Sequence, residues 1–224
     1  PVYSLATDGT DLYVGGNFQS YQGEFLQGIA RWDGAAFHAL GSGIGNGSVR
    51  AIKVDGALVY AGGDFTTAGG APTGNTAVWD GTWNTIGSGI SGGTVRTLEV
   101  FDGALYAGGD FYSYPIQRIA YFDGTQWAAI FPGLDGPAYA LAAMSGKLYV
   151  SGSFTNAGGN PVNRIATWDG AGFSTLGSGL DGLGRTLTPG PQGMWVGGDF
   201  KATGGVGASY VGHYILTPTA ITPS

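Results

Sequence analysis

The stretch "VRAIKVDGALVYAGGDF", from Val49 to Phe65, occurs again with small changes as "VRTLEVFDGALYAGGDF", from Val95 to Phe111. Its closing element, Gly-Gly-Asx-Phe, also appears at Gly15 to Phe18 and at Gly197 to Phe200, with a diverged copy at Ser151 to Phe154. The five phenylalanines lie 47, 46, 43 and 46 residues apart. A recurrence at this spacing indicates five copies of one structural unit of about 46 residues.

Each repeat contains four short apolar segments separated by turn residues. In the second copy these segments are "VRAIKV", "ALVYAGGDF", "NTAVW" and "TWNTIGSGI", and Asp-Gly lies between the first two and between the last two. Asp-Gly between apolar runs is the strongest local signal for a tight β-hairpin, because the turn needs positive φ angles that glycine adopts at little cost. Each repeat is therefore predicted to form a four-stranded antiparallel sheet.

Five such sheets cannot bury their faces alone, so they are predicted to stack face to face and close a ring as a five-bladed β-propeller. The predicted blades span residues 1–47, 48–93, 94–136, 137–182 and 183–216, and residues 217–224 form a tail or linker rich in Pro, Thr and Ser. The last blade is expected to be incomplete. Its third strand, "SYVGHYIL", has lost the Asp-Gly turn, and Pro218 and Pro223 lack the amide hydrogens that a fourth strand needs. Its open edge is a candidate surface for assembly.

The order of elements resembles the repeat of kelch-type β-propellers. More specifically, "LYVGGNF…GIARWDG…LGSG" is similar to the tandem repeats of secreted and surface-anchored bacterial proteins. The resemblance covers nearly the whole chain and implies a propeller located outside the cell. It says little about activity, because propellers include hydrolases, lyases, oxidases, lectins and scaffolds.

The composition narrows the classes of function. Glycine supplies 45 of 224 residues, which suits a turn-rich all-β protein, and the net charge of −6 with only nine Lys and Arg argues against nucleic acid as a partner. No apolar run approaches the 18 to 20 residues that span a bilayer, so membrane insertion is not expected. The absence of cysteine excludes disulfides, thiolate catalysis and cysteine-zinc sites.

One pair of positions varies together across the repeats. Where the second residue of the first strand is Arg, the residue after Gly-Gly is Asp, and where it is Tyr, that residue is neutral and polar. The charged pairs are Arg50 with Asp64, Arg96 with Asp110, and Arg185 with Asp199. Because directly opposed residues of a hairpin contact each other, they are predicted to form ion pairs within each blade. The alternative is a ring of charge that offers Asp or Arg to a ligand at the mouth of the propeller.

Other candidate sites receive structural interpretations. His38 and His213 have unrelated contexts and predict neither a metal site nor a catalytic triad. The Asp residues of the Asp-Gly turns have a local role in their own hairpins, and "DGTD" at residues 8–11 is too short for a calcium loop. The recurring aromatic pairs on the outer strands are expected to pack between blades. We therefore predict no catalytic residue, no metal and no cofactor.

The loops that differ between repeats are the best candidates for recognition. "QSYQGEFLQ" and "YSYPIQ" carry bulky side chains where the other copies are small and polar, namely Tyr21, Phe25, Tyr112 and Tyr114. Exposed aromatics of this kind suit contact with a protein or a glycan, and packing within the loop is the alternative. The sequence thus favours a non-enzymatic extracellular binding or structural module. The alternatives are a carbohydrate-active enzyme or a lectin that uses the mouth of the propeller.

Overall fold

The predicted hairpins are present in the computed structural model, which describes residues 1–215 and contains only β-strands, turns and irregular segments in this range. No helix among these residues has the length and apolar character needed to cross a membrane. The strands are β1 (Val2–Thr7), β2 (Leu12–Gly16), β3 (Ser20–Tyr21), β4 (Glu24–Phe25), β5 (Ile29–Trp32), β6 (Phe37–Ala39), β7 (Ile44–Gly45), β8 (Val49–Asp55), β9 (Leu58–Gly63), β10 (Thr67–Ala68), β11 (Ala71–Pro72), β12 (Thr76–Trp79), β13 (Trp83–Thr85), β14 (Val95–Phe101), β15 (Ala104–Ser113), β16 (Ile116–Phe122), β17 (Trp127–Ala129), β18 (Ala138–Met144), β19 (Lys147–Gly152), β20 (Asn156–Ala157), β21 (Asn160–Pro161), β22 (Ile165–Trp168), β23 (Phe173–Thr175), β24 (Leu183–Gly190), β25 (Gly193–Asp199), β26 (Ala202–Thr203), β27 (Val206–Gly207) and β28 (Val211–Ile215).

Each repeat forms one antiparallel sheet, here called blade one to blade five. The first four blades have four strands in sequence order, namely β1-β2-β5-β6, β8-β9-β12-β13, β14-β15-β16-β17 and β18-β19-β22-β23. Blade five contains β24, β25 and β28. The predicted weak edge after Leu216 lies outside the described residues, as does the predicted tail.

The loop between the second and third strands contains more structure than the sequence predicts. In blades one, two, four and five it forms a small hairpin of two-residue strands, such as β10 with β11, in place of an irregular glycine-rich loop. The turn between β10 and β11 is Gly69-Gly70, and both glycines have positive φ. In blade three, β15 and β16 run on into this region as one long hairpin.

Successive blades pack face to face through four separate hydrophobic clusters. Each cluster joins two neighbouring blades, from blades one and two to blades four and five. The first strands β1, β8, β14, β18 and β24 follow one another at the inner side of this array, each packed on the next. Ring closure would add a fifth contact, between β24 and β1. No comparable packing joins these two strands or their blades among the residues that the structure describes.

The two glycines of Gly-Gly have different steric roles. A side chain on the second glycine, such as Gly63, would collide with the backbone of its own first strand at the Ser48 carbonyl oxygen. A side chain on the first, such as Gly62, would collide instead with Val95 of the following blade, whose Cγ1 lies 2.6 Å from the position of such a β-carbon. The first glycine therefore allows blades to stack, and the second allows the first hairpin to close.

An aspartate fastens the connection that enters blade four. Asp135 accepts backbone hydrogen bonds from Thr155 (2.7 Å) and Asn156 (2.9 Å), and its other carboxylate oxygen accepts bonds from both side chains. Partial burial alone would raise the pKa of Asp135, but these bonds outweigh it and lower the pKa to about 2. Asp181 makes the two backbone bonds in the connection to blade five.

We expect Gly63→Ala to destabilise the protein strongly, because the added methyl group meets backbone atoms that cannot move without opening the β8–β9 hairpin. Overpacking of this kind typically costs about 1–3 kcal/mol. Urea unfolding would measure the loss. Gly172→Ala is the matched control, since Gly172 lies in a turn where a β-carbon meets nothing within 4 Å. Equal stability of the two variants would contradict this steric role.

We expect Asp135→Asn to reduce the acid sensitivity of folding. The pKa of Asp135 in the folded protein is below its ordinary value of 3.8, so the carboxylate contributes stability above that value and loses this contribution as the pH falls toward about 2. The difference in unfolding free energy between the wild type and the variant should therefore shrink over this interval. Thr155→Val, which removes one of the bonds, should show a partial effect. A wild-type pH dependence in Asp135→Asn would refute the assignment.

Candidate functional site

One residue near the start of every first strand occupies a β-bulge. In blade two, Val49 pairs with Gly63 and Ala51 with Gly62, so that Arg50 has no partner in the ladder. The same register shift occurs in the other four blades. A bulge bends the strand and re-aims the side chain of the extra residue. The five bulge residues line one common pocket of about 360 Å³, here called the central pocket: Tyr3, Arg50, Arg96, Tyr139 and Arg185.

The three ion pairs expected from the covariation are present. Arg50 donates from Nε (3.2 Å) and Nη2 (3.0 Å) to Oδ2 of Asp64. Arg96 donates from the same two nitrogens to Oδ2 of Asp110, and Arg185 donates from Nε to Oδ2 of Asp199 at 2.7 Å. The reason differs from the predicted one, because the partners are not directly opposed in the ladder. Each Arg is the bulge residue, and each Asp follows the last paired glycine.

Two of the aspartates also hold the backbone of the bulge. Oδ1 of Asp64 accepts the amide of Ser48 at 2.6 Å, and Oδ1 of Asp110 accepts the amide of Thr94 at 2.7 Å. Burial would raise the pKa of Asp110, but the hydrogen bonds from Arg96 and from the Thr94 amide outweigh it, and the pKa is lowered. The hydrogen bond from Arg185 lowers the pKa of Asp199. The carboxylates of Asp110 and Asp199 are therefore ionised at neutral pH.

The two tyrosines complete the lining of the central pocket. The guanidinium carbon of Arg50 lies 4.3 Å from the ring centroid of Tyr3, and that of Arg96 lies 5.7 Å from the ring centroid of Tyr139. These are cation–π distances. In this geometry the charges pair within each blade, and the paired arginines also line a pocket shared by all five blades.

The four loop aromatics do not form one cluster. Tyr21 and Phe25 belong to the β3–β4 hairpin of blade one, whereas Tyr112 and Tyr114 belong to the β15–β16 hairpin of blade three, and all four side chains are exposed. The ring of Tyr21 packs edge-on against Phe37 at 5.2 Å, so local packing accounts for part of its position.

Arg118 connects the blade-three hairpin with the central pocket. Its Nη1 donates to the carbonyl oxygen of Asp110, and its guanidinium carbon lies 5.5 Å from the ring centroid of Tyr112. The sequence analysis did not identify this residue. A signal was available, because "RIA" occurs at both Arg118 and Arg164, and both arginines have positive φ and donate to a backbone carbonyl.

The remaining titratable groups have local partners. Asp33 accepts the amides of Ala35 and Ala36, and these bonds, with one to His38 at 2.6 Å, lower its pKa. Asp8, at the start of "DGTD", accepts the amides of Thr10 and Asp11 within its own turn. Among residues 1–215, no three His, Cys, Asp or Glu side chains are grouped so as to hold a metal ion.

Aromatic residues of the outer strands bind the preceding blade. Nε1 of Trp83 donates to the carbonyl oxygen of Leu40 at 2.7 Å, and Nε1 of Trp127 donates to that of Ile86 at 3.1 Å. In both cases the acceptor directly follows the fourth strand of the preceding blade. The interpretation of these residues as contacts between blades agrees with this geometry.

Comparison with known proteins shows similarity in structure only. No protein-family model matches the chain, and no curated protein sequence matches it. The computationally designed Ika8 protein is 14% identical with a TM-score of 0.57, over 96% of this chain and 71% of that one. The WD40 β-propeller domain of Doa1 is 12% identical with a TM-score of 0.55, over 88% of this chain and 62% of that one.

A chain of the nidogen/laminin complex is 17% identical with a TM-score of 0.59, over 88% of this chain and 71% of that one. The chain thus spans 62% to 71% of the length of these structures. Identities this low show the fold alone. Together with the array of antiparallel sheets, they show that the chain has an all-β fold of the β-propeller type.

Proposed function

We propose that the chain is a non-enzymatic binding module of kelch-like repeats that contributes five propeller blades and binds a neutral glycan at the central pocket. The observation that carries this proposal is the convergence of five equivalent bulge residues on one pocket. A feature that recurs in every blade and meets at one point provides a concave, polar site of the kind that ligands occupy.

The charge of the pocket favours a neutral ligand. Each of the three arginines has an aspartate partner, so the guanidinium charges are balanced where they stand. Nη1 of these arginines makes no hydrogen bond within residues 1–215 and is available to donate to a hydroxyl oxygen. The rings of Tyr3 and Tyr139 add apolar surface beside these donors. Paired donors and acceptors beside aromatic rings suit sugar hydroxyls and the faces of sugar rings.

The arrangement of acids favours binding over hydrolysis. Glycoside hydrolysis commonly needs two carboxyl groups, one of them protonated at working pH. Asp64, Asp110 and Asp199 each pair with an arginine, and the lowered pKa values of Asp110 and Asp199 oppose protonation. The turn aspartates cap their own hairpins. Asp110 and Asp199 therefore lack the raised pKa that a general acid needs.

The exposed hairpin of blade three extends the binding face. Arg118 joins Tyr112 to the backbone of Asp110, and Asp110 in turn holds Arg96 of the central pocket. A ligand longer than the pocket could therefore follow Arg96, Asp110 and Arg118 to the exposed ring of Tyr112. The similarity of the repeat to those of secreted and surface-anchored bacterial proteins supports a location outside the cell, where glycans are abundant.

We expect Arg185→Ala to weaken binding of a neutral oligosaccharide by about tenfold or more, because the ligand loses a hydrogen bond from a charged donor. Its side chain is the most exposed of the three paired arginines, so the fold should tolerate the change. Arrays of neutral and acidic oligosaccharides and of acidic peptides would identify the ligand, and calorimetry on the wild type and the variant would measure the affinity.

Lys147→Ala is the matched control. It also removes one positive charge, but from the start of β19 and not from the central pocket. Unchanged affinity in Arg185→Ala would exclude the central pocket as the site. Turnover of a bound sugar that Asp110→Asn abolishes, with the fold retained, would replace the binding module with the enzyme alternative.

A further inference from the structure

The two ends of the blade array expose side chains whose counterparts in other blades are buried or partly buried. Within residues 1–215, β1 and β24 lack the packing that joins the first strands of the other neighbouring blades, so one side of blade one and one side of blade five have no neighbouring blade in this range. We define the first face as the exposed Val2 and Leu5 of blade one together with the neighbouring Val14, Phe18 and Ala30, of which Val14 and Ala30 are buried. The last face consists of Trp195, Gly197 and Val211 of blade five.

The first face has the residues of an interface without its partner. Val2 is 56% exposed, whereas its counterparts Val49 and Val95 are fully buried against the preceding blade. Leu5 is 60% exposed, whereas its counterparts Ile52, Leu98, Leu141 and Leu187 are all buried. The aliphatic side chains that seat a blade on its predecessor are thus present in blade one, and solvent takes the place of the predecessor.

The last face has the complementary features. Val211 is 56% exposed, whereas its counterparts Ile119 and Ile165 are fully buried. Trp195 is 45% exposed, whereas its counterpart Tyr149 is buried. Gly197 is small, like Gly15, against which the Val49 side chain of the following blade packs. An aliphatic side chain of a following blade could pack against Gly197 in the same way.

A hydrogen bond between blades is also missing at the ends. The Ser4 hydroxyl accepts the amide of Ile52 at 2.9 Å, and the Thr97 hydroxyl accepts the amide of Leu141 at 3.0 Å, each from the following blade. Thr186 has this position in blade five, where it is exposed and accepts no such bond within residues 1–215. The last face therefore offers the Thr186 hydroxyl as an acceptor. On the first face, the amide of Leu5 corresponds to the donating amides of Ile52 and Leu141.

Two cavities mark where side chains of a preceding blade would lie. An apolar cavity of about 370 Å³ is lined by Val2, Val14, Phe18, Leu26 and Ala30, among others. A second cavity of about 670 Å³ lies beside Trp32 and Phe37. These two aromatics correspond to Trp79 and Trp83 of blade two. Trp83 donates a hydrogen bond to the carbonyl oxygen of Leu40 in the preceding blade.

We propose that the first and last faces are docking surfaces for further β-sheet blades of this same repeat, which fill the sector between blades five and one. A blade of this repeat can contact both faces. The aliphatic side chains of its first strand would pack against Gly197, and the Gly-Gly pair of its second strand would pack against Val2 and Leu5. Tyr3 and Arg185 line the same central pocket, so the two faces border one open sector around a common axis. The proposed contacts are of the same kind as the four interfaces between neighbouring blades in this chain.

Thiol labelling tests this directly, because the chain contains no cysteine. Val2→Cys reports on the first face and Val211→Cys on the last, with Val49→Cys as the matched buried control. Each is placed in the chain itself and in chains where residues 48–93 are copied once, twice or three times before Pro1. Gly93 then precedes Pro1 as Gly136 precedes Pro137 in the natural connection to blade four.

In the chain itself, Val2→Cys and Val211→Cys should react with a thiol reagent at least about tenfold faster than Val49→Cys, as exposed and buried groups do. In the extended chains, Val2→Cys should become as slow as Val49→Cys. Val211→Cys should react slowly only in the extended chain whose number of added blades fills the sector between blades five and one. If the copy next to Pro1 carries Gly62→Gln, Val2→Cys should stay reactive. The glutamine side chain would occupy the space where the first strand of blade one must pack.

Three results would overturn the proposal. Protection of both end cysteines in the unextended chain at every protein concentration would show that blades five and one close on each other. Protection that increases with concentration would identify a second copy of the chain as the occupant. Rapid labelling of either end cysteine in all three extended chains, with the circular dichroism of folded sheet, would show that the two faces do not both accept a blade of this repeat.

Discussion

The close approach of backbone to backbone at Gly-Gly is the constraint on which the other features of this protein depend. The first strand of each blade lies so near the second that the later glycine cannot carry a β-carbon, and the next blade lies so near that the earlier position takes nothing larger than glycine or serine. One dipeptide therefore determines both the hairpin and the stacking distance. This explains why it is the best-preserved element of the repeat.

The bulge follows from the same close approach and produces the central pocket. Strand one must shift its register by one residue as it passes Gly-Gly, and the extra residue is turned out of the sheet. In a single sheet this would expose one side chain. In an array of blades around one axis, five such residues meet, and the protein obtains a polar concave site from a feature whose first effect is local.

Arginine at the bulge needs a partner, and the residue after Gly-Gly supplies it. An unpaired guanidinium beside other guanidiniums in one pocket would be repelled, so the pairing within each blade allows three arginines to share a small volume. Blades with tyrosine at the bulge have no such need, and they carry Asn17 or Ser153 in place of aspartate. The pairing and the pocket are two consequences of one arrangement.

The sequence by itself determined the strands, the hairpins and the partners of the three arginines, because these depend on turn residues and on positions fixed within one repeat. The bulge, the convergence of Tyr3 with Arg185 and the role of Arg118 needed the tertiary structure, since each depends on how two or more strands meet in space. The open sector is the clearest case. The angle between neighbouring blades is a small rotation set by packing volumes and added over four interfaces. The sequence of one repeat does not reveal this total rotation. Val2 and Val49 therefore look alike in the sequence, although Val2 is exposed and Val49 is buried.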